Sequence, residues 1–189
     1  MQKISVNKLL LLMLIIGLLG VSDLAYYRVK AALAQLMLER AWNDSQGYPD
    51  RDLKPWPWAD SWPQLKLSLK GQSFIVLGNA SGESLAFGPG LLTAKLTPGQ
   101  MGNSIIAGHR DTHFEILPQL KNGDILEVEN KNGNITSFKV DQIDIVDSSF
   151  ERPIVQMDQV RLTLVTCYPF DMNVSSPHLR YIVSGIKVL

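Results

Sequence analysis

Apolar residues run almost unbroken from Leu9 to Val21, behind Lys3 and Lys8. A positive start followed by such a run reads as a secretory signal or a retained membrane anchor, and either one carries the rest of the chain out of the cytoplasm. Gly20 and Ser22 suit a cleavage site, but Asp23 and Ala25 do not, so retention is the expectation. Counted from Ile4 to Tyr27, with Lys8 snorkelling and Tyr26 and Tyr27 at the interface, the segment reaches the ~20 residues a bilayer needs. Residues 1–27 are therefore read as an N-terminal single-pass membrane helix, with the remaining chain expected on the extracytoplasmic side. Orientation is not settled by charge, since Arg28, Lys30 and Arg40 follow the run as Lys3 and Lys8 precede it.

From Leu24 to about Trp42 the pattern changes to a helical one. Val29, Leu33, Leu36, Met37 and Arg40 recur at helical spacing among Arg28, Lys30, Gln35 and Glu39, which predicts an amphipathic stalk. Residues 43–63, "NDSQGYPDRDLKPWPWADSWP", then hold four prolines and three tryptophans, a composition that breaks helix and sheet alike. Stalk and linker together cover residues 28–61, with Trp56, Trp58 and Trp62 expected to pack on the following domain.

Residues 62–189 suffice for one domain with its own core. Their pattern is one of short β-branched runs bounded by Gly, Pro, Asn and Asp: 73–78, 83–92, 103–108, 124–130, 135–147, 161–167 and 180–189. Asn132-Gly133-Asn134 suits a hairpin between the runs at 124 and 135. Only "THFEILPQ", from Thr112 to Gln119, predicts a helical turn, with Pro118 as its end. Seven or eight strands at this spacing argue an all-β fold, a small barrel or a sandwich.

Charge adds little, because 18 basic residues balance 18 acidic ones without clustering, and nothing favours nucleic acid. The cysteine count adds more. Cys167 is the only one, which excludes an internal disulfide and a Cys-rich metal site, and leaves a buried thiol, an intermolecular bridge or a reactive nucleophile.

In "RLTLVTC", Leu162, Leu164 and Thr166 share one face and Thr163, Val165 and Cys167 the other, so Cys167 ends its strand two residues before Pro169. If this strand and the one beginning at Arg180 fold symmetrically about Asn173 and Val174, Cys167 faces Arg180 across an antiparallel ladder. A cation there favours the thiolate, which is the nucleophilic form. Three histidines are available for proton transfer: His109, His113 and His178. His109 follows the strand "NSIIAG" and so also sits at a strand end, with Arg110 and Asp111 next to brace its loop. The pair at i and i+4 in "HRDTH" raises a metal reading, but the Glu of the zinc-protease helix is missing and no metal or other cofactor is expected.

Three segments carry a resemblance to a known family. "TLVTC" resembles the TLxTC signature of sortases, the membrane-anchored cysteine transpeptidases; "AGHRDTHF" followed by "LPQLKNGD" is similar to their histidine segment, and "HLRYIV" to the strand carrying their arginine. "KPWPWADSWP" further resembles the Gram-negative, marine proteobacterial type, in which the enzyme is typically paired with one dedicated secreted substrate. The resemblance implies a closed eight-stranded β-barrel with one or two short helices, and a groove where His109, Cys167 and Arg180 meet as catalytic residues, with Thr166 binding substrate. It implies cleavage of an LPxTG-like sorting signal on a secreted protein, through a thioester, and transfer to an amine acceptor of cell wall or protein, or to water. The rival expectation is a non-enzymatic envelope β-barrel protein in which Cys167 is a buried structural residue. The L,D-type cysteine transpeptidases are a poorer match, since "LVTCYPF" lacks their Ser-x-Gly-Cys-Arg setting.

Overall fold

A computed structural model describes residues 13, 33–48, 50–93, 96–149, 158–171 and 178–188. Apart from Met13, the anchor expected over residues 1–27 lies outside the described residues, among which no helix is long and apolar enough to cross a membrane. The chain divides into two compact units, Met1–Leu36 and Met37–Leu189. Described residues 33–36 of the first are helical, and the second holds everything that follows.

Residues 33–45 form α1. Within the second unit its buried face is Leu38, Ala41, Trp42 and Ser45, one helical stripe, while Arg40 points to solvent and pairs with Asp44. The stripe expected through Met37 and Arg40 is therefore rotated by about one residue. Ser45 donates its hydroxyl to the Trp42 carbonyl at 2.7 Å, occupying one of the acceptors a helix leaves free at its end.

Strict alternation at Leu65, Leu67 and Leu69, each buried, makes β1 of Pro63–Leu69, a strand absent from the runs read above. Lys70 and Gly71 both take positive φ, 49° and 76°, the requirement of a two-residue hairpin turn, and lead into β2, Gln72–Leu77. Residues 83–92 are not one strand. Ser81 caps a four-residue helix, α2 (Gly82–Leu85), by accepting from the Ser84 amide, and only Gly90–Leu91 pairs, as β3. A Cβ at Gly90 would lie 2.1 Å from the Asn79 carbonyl oxygen, so the close approach there needs glycine.

The remaining strands follow the expected runs closely: β4 (Gly102–Ala107), β5 (Ile125–Asn130), β6 (Ile135–Asp147), β7 (Val160–Cys167) and β8 (Leu179–Lys187). The β5–β6 hairpin turns at residues 131–134, where Asn130 Oδ1 accepts from the amides of Asn132 and Asn134. Pro118 does not end a helix but opens a 3-10 turn, Leu117–Gln119, where its missing N–H costs nothing. The strands close into a barrel in the order β1-β2-β3-β4-β7-β8-β6-β5. Its interior is filled by Leu65, Leu67, Val76, Ile106, Leu126, Phe138, Leu162, Leu164 and Val183, all buried, and Phe114 from the β4–β5 connection joins the same cluster.

Pairings of Pro63 with Leu77, Leu77 with Gly90, Gly90 with Ala107 and Ala107 with Val165 run around one end of this barrel. The C-terminal ends of β4 and β7, the start of β8, the loop holding α2 and the end of the linker thus share that end. The linker is fastened to it. Trp56 meets Phe87 edge-on with ring centroids 4.8 Å apart, Asp60 accepts from the hydroxyls of Ser81 and Ser84, and the Trp62 indole lies so close over Gly78 that a Cβ there would come within 2.9 Å. Trp58 departs from the expectation and is 78% exposed. Farther back, Lys131 is buried and donates to the Arg51 carbonyl and to Asp52, each at 3.0 Å.

Candidate active site

β7 delivers Cys167 to the rim as its last residue, and the thiol is exposed there rather than packed in the core. That finding removes the buried-thiol reading of this residue. Alternation explains it: Leu162 and Leu164 enter the barrel core, while Val165 and Cys167 lie on the outer wall. Cys167 pairs with Arg180 at the first full rung of β8, the register that symmetric folding of the connection predicts. The next rung is closed by a hydrogen bond of 3.1 Å from the Tyr168 amide to the Leu179 carbonyl. Cys167 and Arg180 therefore form a non-hydrogen-bonded pair, in which Cα atoms approach to about 4.5 Å and side chains stand closest. Arg180 is half-buried, and its Nη1 donates to the Leu179 carbonyl at 2.9 Å.

On the other flank, β4 runs parallel to β7 with Ala107 opposite Val165. The ladder ends at Ala107, and its register, continued two residues into the following loop, would set His109 level with Cys167 in a row of His109, Cys167 and Arg180. Two bonds tie the start of this loop to β7. The Gly108 amide donates to the Val165 carbonyl at 3.1 Å, and Thr166 Oγ1 donates to the Gly108 carbonyl at 2.7 Å. Thr166 is buried, and in this state its hydroxyl is spent on the peptide unit that precedes His109.

The histidine loop is supported from below. The Phe114 amide donates to the His109 carbonyl at 3.0 Å, and the fully buried Phe114 ring lies where any Cβ on Gly108 would have to be, 2.8 Å away. His109 itself is exposed. His113 is half-buried, with Thr112 Oγ1 3.2 Å from its Nδ1 and the Phe87 carbonyl accepting a hydrogen bond from the ring. Burial pushes the His113 pKa below that of a free imidazole and the neighbouring His109 pushes it the same way, against the opposing pull of the Phe87 carbonyl and Asp111. Phe87 in turn carries Trp56, so the linker reaches the histidine loop through one aromatic contact.

Beyond Cys167 the chain leaves the sheet through Tyr168, Pro169 and Phe170. Tyr168 stacks on Tyr181 at 6.3 Å, and Phe170 meets Tyr181 edge-on at 5.2 Å. Burial, then Tyr168, raises the Tyr181 phenol above the usual tyrosine range. Arg110 Nη1 donates to the Pro169 carbonyl. The sequence expectation that Arg110 braces its loop does not name this partner, nor does "TLVTC" reveal the Thr166 to Gly108 bond. His178, given no role above, accepts through its carbonyl from the Ser148 amide and hydroxyl. Among the described residues no three His, Cys, Asp or Glu side chains gather to hold a metal.

Behind the row, on the same outer wall, Ile105, Val165 and Ile182 form a second buried apolar cluster joined by Val146. One strand position further back, Thr163 Oγ1 bonds Asn103 Oδ1 and Ser184 Oγ, both at 2.9 Å. The wall below Cys167 is thus apolar first and polar next.

Known proteins of this architecture narrow the class. A family model described as the Sortase domain matches residues 65–188, and the chain belongs to the sortase family. Sortase D of Bacillus subtilis (strain 168) is 31% identical over 114 residues, which are 60% of this chain and 57% of that protein, so the chain spans little more than half the length of that relative. Among solved structures, a Clostridium perfringens Sortase D5 transpeptidase superposes with a TM-score of 0.65 at 18% identity, over 84% of this chain and 99% of that one, a likeness of fold. The catalytic domain of B. anthracis SrtD gives a TM-score of 0.56 at 29% identity, over 67% of this chain and 88% of that one.

Proposed function

We propose that this chain is a cysteine transpeptidase that cleaves an LPxTG-like sorting signal of a secreted protein and passes the acyl group to an amine, or to water. The observation that supports the reading is the rung of Cys167 and Arg180 at one rim of the barrel, with the loop that begins at Gly108 and holds His109 bonded to the neighbouring end of β7. Cys167 Sγ attacks the carbonyl carbon of the signal's threonine, and collapse of the tetrahedral intermediate breaks the C–N bond to the next residue and leaves a thioester. His109 gives its proton to the departing amine and takes one from the incoming amine or water. Arg180 sets positive charge where the oxyanion develops.

In this reading the N-terminal apolar run anchors the enzyme in the inner membrane, with the barrel on the periplasmic side facing one dedicated secreted substrate. Incubation with LPxTG-like peptides tests the proposal: intact-mass analysis is expected to show an acyl adduct on Cys167 that a Cys167→Ala variant cannot form. No adduct with any such peptide, together with a thiol inert to iodoacetamide, overturns it.

A further inference from the structure

Arg110 reaches from the histidine loop to the segment that leaves Cys167, where its guanidinium donates to the Pro169 carbonyl. That segment has already left the ladder, since β7 ends at Cys167 and the Tyr168 amide makes the last rung with Leu179. Pro169 has no N–H with which to continue the ladder, and its carbonyl takes a charge-assisted bond from Arg110. On the other side Arg110 directly follows His109, so a short stretch of backbone carries both the imidazole and the clamp.

The bonds between Gly108 and residues 165 and 166 tie the two chain segments together before His109 and before Cys167. The Arg110 to Pro169 bond ties them together after both residues. The imidazole and the thiol are thus bracketed between fixed points on both flanks. We infer that Arg110 is a positioning residue that closes this bracket and sets how His109 approaches Cys167. Its consequence for turnover rests on the transpeptidase reading; its geometry does not. A planar guanidinium fixes a direction of donation, which the rotating ammonium of lysine does not.

Cys167 is the only cysteine, so its alkylation by iodoacetamide in the full-length protein reports this thiol alone. A double-mutant cycle near neutral pH with His109→Ala and Arg110→Ala reads the coupling between them. Expected is a change in alkylation rate on His109→Ala in the native background that shrinks at least severalfold in the Arg110→Ala background, with melting temperatures nearly unchanged. Guanidinium well below denaturing concentrations restores the Arg110→Ala variant, and Arg110→Lys restores only part. An equal His109→Ala effect in both backgrounds, no effect in either, or a change that merely follows lost folding overturns the inference.

On a processed peptide, Arg110→Ala is expected to lower kcat about tenfold to a hundredfold at constant KM, the signature of misplacement. A rise in KM alone makes Arg110 a substrate contact and overturns it as well. If the native protein processes no sorting peptide, the transpeptidase reading falls, while the alkylation cycle still decides the role of Arg110.

Discussion

Cys167 and Arg180 are opposite residues of the β7–β8 ladder, on the rung directly below the one closed by Tyr168 and Leu179. Strand pairing, rather than a loop, thus sets the Arg180 backbone opposite that of Cys167. Arg180→Ala is expected to slow acyl-enzyme formation about a hundredfold or more, the scale of losing one oxyanion donor. Arg180→Lys retains part of the rate as a point charge without the planar fork. Single-turnover cleavage with mass detection of the adduct measures both, and an Arg180→Ala rate within a few-fold of native removes the arginine from the mechanism.

Thr166 offers a cleaner separation of structure from chemistry. Its buried hydroxyl donates to the Gly108 carbonyl, and Thr166→Val keeps the shape while removing the donor. A buried acceptor left without its partner costs about 1–3 kcal/mol, so the urea midpoint is expected to drop accordingly. Thr166→Ser, which keeps the hydroxyl, recovers most of that loss. If Thr166→Val raises the peptide KM and leaves stability untouched, the hydroxyl belongs to the substrate and not to the histidine loop.

The barrel strands and the Cys167–Arg180 register were legible because they rest on local signals. Strand runs are bounded by Gly and Pro, and a connection symmetric about Asn173 and Val174 has one natural register, the one observed for Cys167 and Arg180. β1 alternates as cleanly as any strand, at Leu65, Leu67 and Leu69, but it follows a proline- and tryptophan-rich stretch whose irregular texture masked its start. α2 is four residues long, too short for a helical period to show, and its cap, Ser81, carried the only local sign of it. Contacts such as Arg110 with Pro169, Thr166 with Gly108 and Trp56 with Phe87 join segments far apart in the chain. No periodicity encodes them; only closure of the barrel brings them together.

Gly108 sits between β4 and His109, with the Phe114 ring in the space a side chain would fill. Gly108→Ala places a methyl 2.8 Å from that ring, so either Phe114 withdraws from the core or the backbone before His109 shifts. Overpacking of this kind costs about 1–3 kcal/mol. The expected outcome is a lower melting temperature together with a loss of peptide turnover larger than the unfolded fraction explains. Cys167 alkylation measured alongside shows whether the thiol is still presented; native turnover in Gly108→Ala would mean that the loop tolerates the shift.

His113 sets a pH dependence whose sign follows from its surroundings. Its folded pKa lies below the value of 6.5 for a free imidazole, first because the ring is buried and next because His109 stands near it. Above pH 6.5 the ring is neutral in folded and unfolded chains alike, and its contribution to stability is fully present. As pH falls from there through the folded value, the unfolded chain takes up a proton that the folded chain refuses, so stability declines and then levels off. Asp124 and Asp147, both with folded pKa values below 3.8, act only in a more acidic window and do not obscure this one. Urea midpoints measured from about pH 7.5 to 5 are expected to fall in the native protein and to fall less steeply in His113→Gln. Equal slopes in the two proteins would place the titrating group elsewhere, and would leave the contact of the His113 ring with Phe87 without a role in the acid response.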